Sequence, residues 1–237
     1  MTDNPSPARR LHPFPLRVMH WINAVAMIIL IGSGWKIYGD EVLFGWLHFP
    51  DWMTIGGDWQ VSIKLHGNGG NSGALLWHFF AMWILVLNGL TYVAYGFATG
   101  RFRRKLLPIR PREVVRDVDD ALHFRLSHSD ITHYNAVQKL LYTGILVVGA
   151  VQVLSGLAIW KPVQFQELTA LFYDFQGARL AHFLGMAAIV MFLVVHVTLA
   201  LLVPRTLVAM VTGGPRVEPD PAPPALEPPA LAHQTGE

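Results

Sequence analysis

The sequence predicts an all-α fold, an integral membrane four-helix bundle with both termini on the cytoplasmic side. Three observations predict it. Hydrophobic residues make up 52% of the 237 and charged residues only 14%, which is too apolar and too poor in charge for an ordinary soluble domain. The apolar residues gather into four long stretches, at about residues 17–38, 74–99, 135–160 and 179–203, each longer than the roughly 20 residues a helix needs to cross the hydrocarbon core. The charges between these stretches alternate in sign from one loop to the next. A helix is the expected form inside the bilayer because it satisfies its own backbone hydrogen bonds.

Residues 1–16 read as a polar N-terminal tail in which Pro13 and Pro15 keep His12 off the first helix. The first apolar stretch is longer than the apolar region of a signal peptide, and no small-residue cleavage site stands out. The Arg9-Arg10 pair opens no twin-arginine pattern, so a retained helix is expected. The following loop is rich in Trp and Gly. Trp46, Trp52 and Trp59 suit an interfacial belt or a docking surface for a partner, and the His-Gly-Asn-Gly-Gly-Asn run at 66–71 reads as a flexible turn. Between the second and third stretches stand Arg101, Arg103, Arg104, Lys105, Arg110, Arg112, Arg116 and Arg125. That juxtamembrane position assigns the basic loop to topology and anionic lipid, not to nucleic acid. The third loop carries Lys161 against Glu167 and Asp174. Residues 205–237 form the last segment, Pro-rich and expected to be disordered from about 213. No internal repeat is apparent, so residues 17–204 read as one four-helix domain.

Orientation follows from the loops. The N-terminal tail holds Arg9, Arg10 and Arg17 and the middle loop is strongly basic, whereas the first loop sets Lys64 against Asp40, Glu41, Asp51 and Asp58. The positive-inside rule therefore predicts cytoplasmic termini in a multi-pass membrane protein. The overall charge of +2 conceals this asymmetry. The chain has no cysteine, which excludes iron–sulfur clusters, thiolate-ligated haem, covalently attached c-type haem and disulfides.

Of eleven histidines, four lie in the apolar stretches: His20, His78, His182 and His196. Ionisable residues at such depths are costly and usually functional. His182 and His196 are 14 residues apart, about 21 Å along a helix and nearly four whole turns, so they share one face. The topology puts His78 level with His182 near the outer surface, and His20 level with His196 near the cytoplasmic surface. Each pair can clamp one iron from both sides, as helix bundles do when they build cofactor sites from facing helices. Hydrogen-bonded packing or a proton or ion pathway is the alternative for any one of them. Gly32, Gly34, Gly144, Gly149, Gly156 and Gly185 would let a flat macrocycle approach the backbone, or would serve ordinary close helix packing. Arg17 and Arg179 each precede a histidine by three residues and are candidates for propionate contacts or interfacial anchors.

The segments Arg17-Val-Met-His20-Trp-Ile-Asn23, Trp77-His78-Phe79 and Arg179-Leu-Ala-His182, with His196 downstream, carry a family resemblance. Over about residues 14–212 the chain resembles the bacterial di-haem cytochromes b of the b561 type, the membrane subunits of respiratory hydrogenases, formate dehydrogenases and thiosulfate reductase-like systems. The resemblance implies two b-type haems, one on His20 and His196 and the other on His78 and His182. It implies electron transfer between the quinone pool and a periplasmic oxidoreductase. Ser155-Gly-Leu-Ala-Ile-Trp-Lys-Pro162 and Leu202-Val-Pro-Arg-Thr206 look most like members paired with periplasmic molybdopterin enzymes of the sulfite-oxidase type, with a hydrogenase or formate dehydrogenase as the other partners the family offers. Tyr134-Asn135-Ala-Val137-Gln138-Lys139 is similar to a Tyr-Asn-Ala-Gly-Gln-Lys segment near the quinone site of formate dehydrogenase cytochromes. Asn135 and Gln138 are thus candidates for quinone binding, with Val137 replacing the glycine; the alternative is helix capping by Asn135 and an interfacial Tyr-Lys pair.

An iron with two histidine ligands has no open position, so outer-sphere electron transfer is expected rather than oxygen activation. The chain then reads as the electron-transfer subunit of a respiratory oxidoreductase with quinol/quinone redox activity. A stand-alone superoxide:quinone oxidoreductase is the first alternative and a haem-free transporter or proton channel the second.

Overall fold

The structure, a computed structural model, describes residues 9–40, 42–56, 72–100, 102, 110–122 and 136–217. Among them are four helices long and apolar enough to cross a membrane: α1 (Phe14–Asp40), α2 (Ser72–Ala98), α4 (Ala136–Trp160) and α6 (Phe175–Leu202). Three shorter helices complete the set: α3 (Pro111–Leu122), α5 (Gln166–Leu171) and α7 (Pro204–Thr212). The chain is a membrane helical bundle, and its ends are set by local chemistry. Helix α1 starts at Phe14, earlier than the expected 17, because Pro15 falls in the first turn where its missing N–H costs nothing. Helix α6 starts at Phe175 because the Asp174 carboxylate accepts a 2.7 Å hydrogen bond from Gly177 N, a side-chain N-cap. It stops before Pro204, which opens α7.

The outward surfaces of the long helices are apolar. Leu90 is 63% exposed and Met191 70% exposed, as expected where lipid replaces the rest of the protein. Buried positions are occupied by small residues, among them Ala26, Gly32, Ala81, Ala158 and Ala178, the usual means of bringing membrane helices together. Helix α1 packs chiefly on α2, and α4 on α6, so the bundle is two hairpins. Between the hairpins aromatic and imidazole rings meet, such as Phe79 on Trp160 at 5.0 Å and Tyr38 on Phe183 at 5.2 Å.

Two ends of the bundle can be distinguished. At the loop end, residues 42–56 fold back onto α1. Tyr38 Oη donates to the Phe44 carbonyl and accepts from Phe44 N, Phe49 stacks on Trp35 at 4.8 Å, and Ile55 N donates to the Gly32 carbonyl at 3.0 Å. Trp46 and Trp52 remain largely exposed on this loop, while Trp59 and the 66–71 run lie outside the described residues.

At the terminal end the chain leaves α7 through residues 213–217, where the Pro-rich segment begins. Gly213 caps α7 in the left-handed region at φ 101° and Gly214 follows at φ 70°, a conformation glycine adopts without steric cost. The chain thereby turns back so that β2 (Arg216–Val217) pairs antiparallel with β1 (Arg9–Arg10). Leu11 N and His12 N donate to the carbonyls of Pro215 and Gly213, both at 3.0 Å. Two arginines close the clasp: Arg10 Nη1 donates to the Thr212 carbonyl at 2.6 Å and Arg17 Nη1 to the Val211 carbonyl. Cations at the end of a helix satisfy its last carbonyls and complement its dipole. The basic loop also holds more order than its charge implied. Its α3 places the Asp117 carboxylate 2.7 Å from Ala136 N, capping the start of α4 from a neighbouring helix. Arg101, Arg103, Arg104, Lys105 and Arg125 lie outside the described residues.

Candidate haem site

Helix α6 is the spine of the site, since it carries His182 near its start and His196 near its end. At the loop end, the His182 ring faces His78 of α2 with centroids 6.3 Å apart and planes 58° apart. At the terminal end, the His196 ring faces His20 of α1 at 6.2 Å and 62°. All four side chains are half-buried by protein alone.

The spacing has a chemical meaning. A nitrogen–metal bond of about 2 Å on each side, plus roughly 1.1–1.2 Å from nitrogen to ring centre, separates two imidazoles on one metal by about 6.3 Å. Both pairs match that figure. Among the described residues no group of three or more His, Cys, Asp or Glu converges on a point. A bare metal ion would therefore find only two protein ligands at either position. An iron that brings four equatorial nitrogens in a macrocycle needs two axial ligands, and that is what each pair offers. The residues present fit a haem at both places.

The loop-end pair is the more elaborately built. Ser33 Oγ lies 3.0 Å from His78 Nδ1, and Ser155 Oγ lies 3.0 Å from His182 Nδ1. Each serine donates its proton back to the carbonyl four residues earlier, Ile29 at 2.6 Å and Val151 at 2.7 Å. Since each hydroxyl has one proton, its oxygen accepts from the ring, so Nδ1 carries the hydrogen. Each Nε2 is then left with a bare lone pair, the form in which a neutral histidine binds a metal. Ser33 and Ser155 are both fully buried, with no exposed surface.

A glycine follows each serine. A Cβ on Gly34 would stand 3.5 Å from His78 Cε1, and one on Gly156 would stand 3.2 Å from His182 Cε1. These two glycines keep the imidazoles clear. The others behave differently. Gly32 lies against Ile55 and Gly185 against Gln152, while Gly144 and Gly149 border open space. Ser33-Gly34 on α1 faces a histidine on α2, and Ser155-Gly156 on α4 faces a histidine on α6. The two hairpins thus repeat one device, although no internal repeat is apparent in the sequence.

The terminal-end pair is held by other means. Among the described residues neither His20 nor His196 has a hydrogen-bond partner. Phe192 stacks on His196 at 5.5 Å with planes 11° apart, and Trp21 meets His20 edge-on at 5.4 Å. Asn88 of α2 donates from Nδ2 to the Met19 carbonyl and to Asn23 Oδ1, both at 2.7 Å. That amide bridge fixes the turn of α1 that bears His20. Arg17 is tied to α7 through Nη1, while its Nε is buried without a hydrogen-bond partner among the described residues. Arg179 Nη1 donates to Gln176 Oε1 at 3.0 Å. Gln138 lies in the first turn of α4, half-buried; Tyr134 and Asn135 lie outside the described residues.

Ser33 and Asn88 carry no role in the sequence reading, and Ser155 enters it only as the start of the segment that resembles partnered family members. The available signal was the recurring Ser-Gly doublet, one turn-rich pair in each of two apolar stretches that precede a histidine-bearing one.

Comparison with known proteins places the chain in a family. The family profile described as prokaryotic cytochrome b561 matches residues 11–213. A protein of Azospira oryzae named "Putative protein-methionine-sulfoxide reductase subunit YedZ1" is 44% identical over 203 residues, 86% of this chain and 96% of the relative. A protein of Bradyrhizobium diazoefficiens named "Probable Ni/Fe-hydrogenase B-type cytochrome subunit" is 21% identical over 217 residues, 81% of this chain and 77% of the relative.

Proposed function

The chain belongs to the prokaryotic cytochrome b561 family, a multi-pass protein of the bacterial cytoplasmic membrane, and from that premise we propose that it is a di-haem electron-transfer subunit linking the quinone pool to a periplasmic oxidoreductase. The observation that carries this reading is the pair of facing imidazoles at each end of the bundle, spaced at 6.2 and 6.3 Å. His20 and His196 would ligate the haem nearer the cytoplasm, and His78 and His182 the haem nearer the periplasm, with both termini cytoplasmic. When bound, haem b supplies reversible one-electron chemistry at an iron closed to other ligands. The protein's own work is to fix four ligands, exclude water with apolar helices and set the separation between the two positions. That separation is about 21 Å for the 14 residues between His182 and His196. Arg17 and Arg179 are the propionate contacts in this reading, and Arg17 retains one buried, unpartnered nitrogen for it.

The quinone position is assigned to Asn135 and Gln138, beside the start of α4. The partner is assigned from the methionine-sulfoxide reductase named in the Azospira relative; the sequence resemblance favours a molybdopterin enzyme. The loop of residues 42–56, with Trp46 and Trp52 turned outward, lies at the end this partner would approach.

Purified protein tests the reading directly. Reduced-minus-oxidised spectra with pyridine haemochrome quantitation are expected to give a b-type signal and about two haems per chain. Quinol added to membranes is expected to reduce both, and the partner with methionine sulfoxide to reoxidise them. Protein folded with haem supplied that shows no haem spectrum sinks the cytochrome reading. Unchanged quinol-driven reduction in an Asn135→Ala, Gln138→Ala double variant sinks the quinone assignment alone.

A further inference from the structure

Ser33 and Ser155 form nearly identical geometries on different helices. From Ser33 Oγ the distances are 2.6 Å to the Ile29 carbonyl, 3.3 Å to the Leu30 carbonyl and 3.0 Å to His78 Nδ1. From Ser155 Oγ they are 2.7 Å to Val151, 3.3 Å to Gln152 and 3.0 Å to His182 Nδ1. A serine in a membrane helix commonly bonds back to a carbonyl one turn earlier. That habit alone does not aim two such serines at the two histidines of one pair while leaving the other pair bare.

We propose that Ser33 and Ser155 are a matched pair of positioning residues that lock the tautomer and ring plane of His78 and His182 and hold down the reduction potential of the loop-end haem alone. The proposal rests on the two-haem reading above. Its physical basis is the chain Nδ1–H to Oγ–H to backbone carbonyl. A hydroxyl that donates to a carbonyl is polarised into a better acceptor. A histidine that donates its second ring N–H to an acceptor becomes a more basic ligand and is fixed in orientation. A more basic axial ligand favours the ferric state. Two such ligands act on one iron at the loop end. At the terminal end His20 and His196 have ring packing but, among the described residues, no acceptor. The difference between the two stations is thereby written partly into two hydroxyl groups.

The test is potentiometry of the full-length holoprotein with electron paramagnetic resonance of the ferric haems. Ser33→Ala, Ser155→Ala and the double variant are compared with wild type and with Ser33→Thr and Ser155→Thr, which keep the hydroxyl. The loop-end signal is identified as the one lost in His182→Ala. Its midpoint is expected to rise in each alanine variant. The double variant is expected to shift the oxidised-to-reduced ratio at fixed potential about tenfold, which for one electron is about 59 mV. The g-values of that haem are expected to move as its ring planes relax, the threonine variants to stay near wild type, and the terminal-end haem to keep its midpoint. An unmoved loop-end midpoint in the double variant overturns the proposal. So does an equal shift of both haems, or a shift in the threonine variants as large as in alanine. Fewer than two haems in wild type would instead be a failure of the underlying di-haem reading, visible before any variant is made.

Discussion

At the loop end, His78 and His182 each rest Nδ1 on a serine that is itself anchored to the helix behind it. At the terminal end, His20 and His196 face each other at almost the same distance, and what supports them is an asparagine bridge to the backbone, ring packing and the clasp of the two chain ends. Equal spacing with unequal support separates two requirements. Spacing between facing rings is a property of the helices, set where α1, α2 and α6 lie. The electronic character of a ligand is a property of the ring's second nitrogen, set by one neighbour. A bundle can therefore hold two chemically equal stations and still tune one of them independently.

The largest effect that could break this comparison is loss of a ligand. His182→Ala and His196→Ala change the same helix at its two ends. Each is expected to reduce haem content from about two per chain to about one, and the double variant to abolish it. The survivors should have different midpoints and different ferric spectra, one braced by serine and one not. If both single variants lost both haems, the two stations would not be independent and the comparison would collapse into a single cooperative site.

Steric crowding gives the next effect. Gly156 and Gly34 occupy equivalent places, but the space over them differs: a Cβ would come 3.2 Å from His182 Cε1 at Gly156 and 3.5 Å from His78 Cε1 at Gly34. The longer distance is ordinary contact and the shorter one requires the ring to move. Gly156→Ala is expected to shift the spectrum of the loop-end haem and lower its occupancy, whereas Gly34→Ala should leave both close to wild type. Haem content and the α-band of the single-haem His196→Ala background read this without interference. Equal damage from the two alanines would mean that the repeated Ser-Gly device is not held by close packing.

The sequence is informative about one level of this arrangement and silent about another. Depth is legible because it follows from helix rise: 14 residues between His182 and His196 on a helix that crosses the membrane fix two levels, and the topology assigns His78 and His20 to them. Support is not legible, because an isolated Ser33 or Asn88 in an apolar run looks like any polar packing residue, and its partner lies on another helix, 45 residues away for Ser33 and 69 for Asn88. The terminal clasp is hidden for a stronger version of the same reason. Arg10 and Thr212 are 202 residues apart, in a segment whose proline and charge content reads as a tail. Helix α3 is concealed by the basic loop around it: residues 111–122 themselves hold two arginines and four carboxylates, of which Glu113 pairs with Arg110 and Asp117 caps the start of α4.

Removing the asparagine bridge is a smaller perturbation than crowding a ligand. Asn88→Leu deletes the links to Met19 and Asn23 while keeping the branching of the side chain, and interhelical hydrogen bonds in membranes contribute about 0.6–2 kcal/mol. Unfolding in mixed micelles is expected to show a loss of that size. Because the bridge flanks His20, the terminal-end haem should exchange faster than the loop-end haem. A uniform change in both would show the bridge to be general glue between α1 and α2.

The smallest effect belongs to the clasp. Arg10 is exposed, and its bond to the Thr212 carbonyl has water as a competitor, so Arg10→Ala is expected to cost about 1 kcal/mol or less. Its diagnostic value lies in where the loss is felt. Arg17 joins the same clasp and stands one helical turn before His20, so loosening residues 209–217 from residues 9–17 reaches the first turn of α1 and no part of the loop end. Hydrogen exchange should accelerate at Leu11 and His12, whose amides bond to Pro215 and Gly213, and the terminal-end haem should broaden spectrally with its neighbour unaffected. If exchange rises there with no change at the haem, the clasp is a seal on the chain ends, and the terminal-end pair depends only on the asparagine bridge and the rings packed around it.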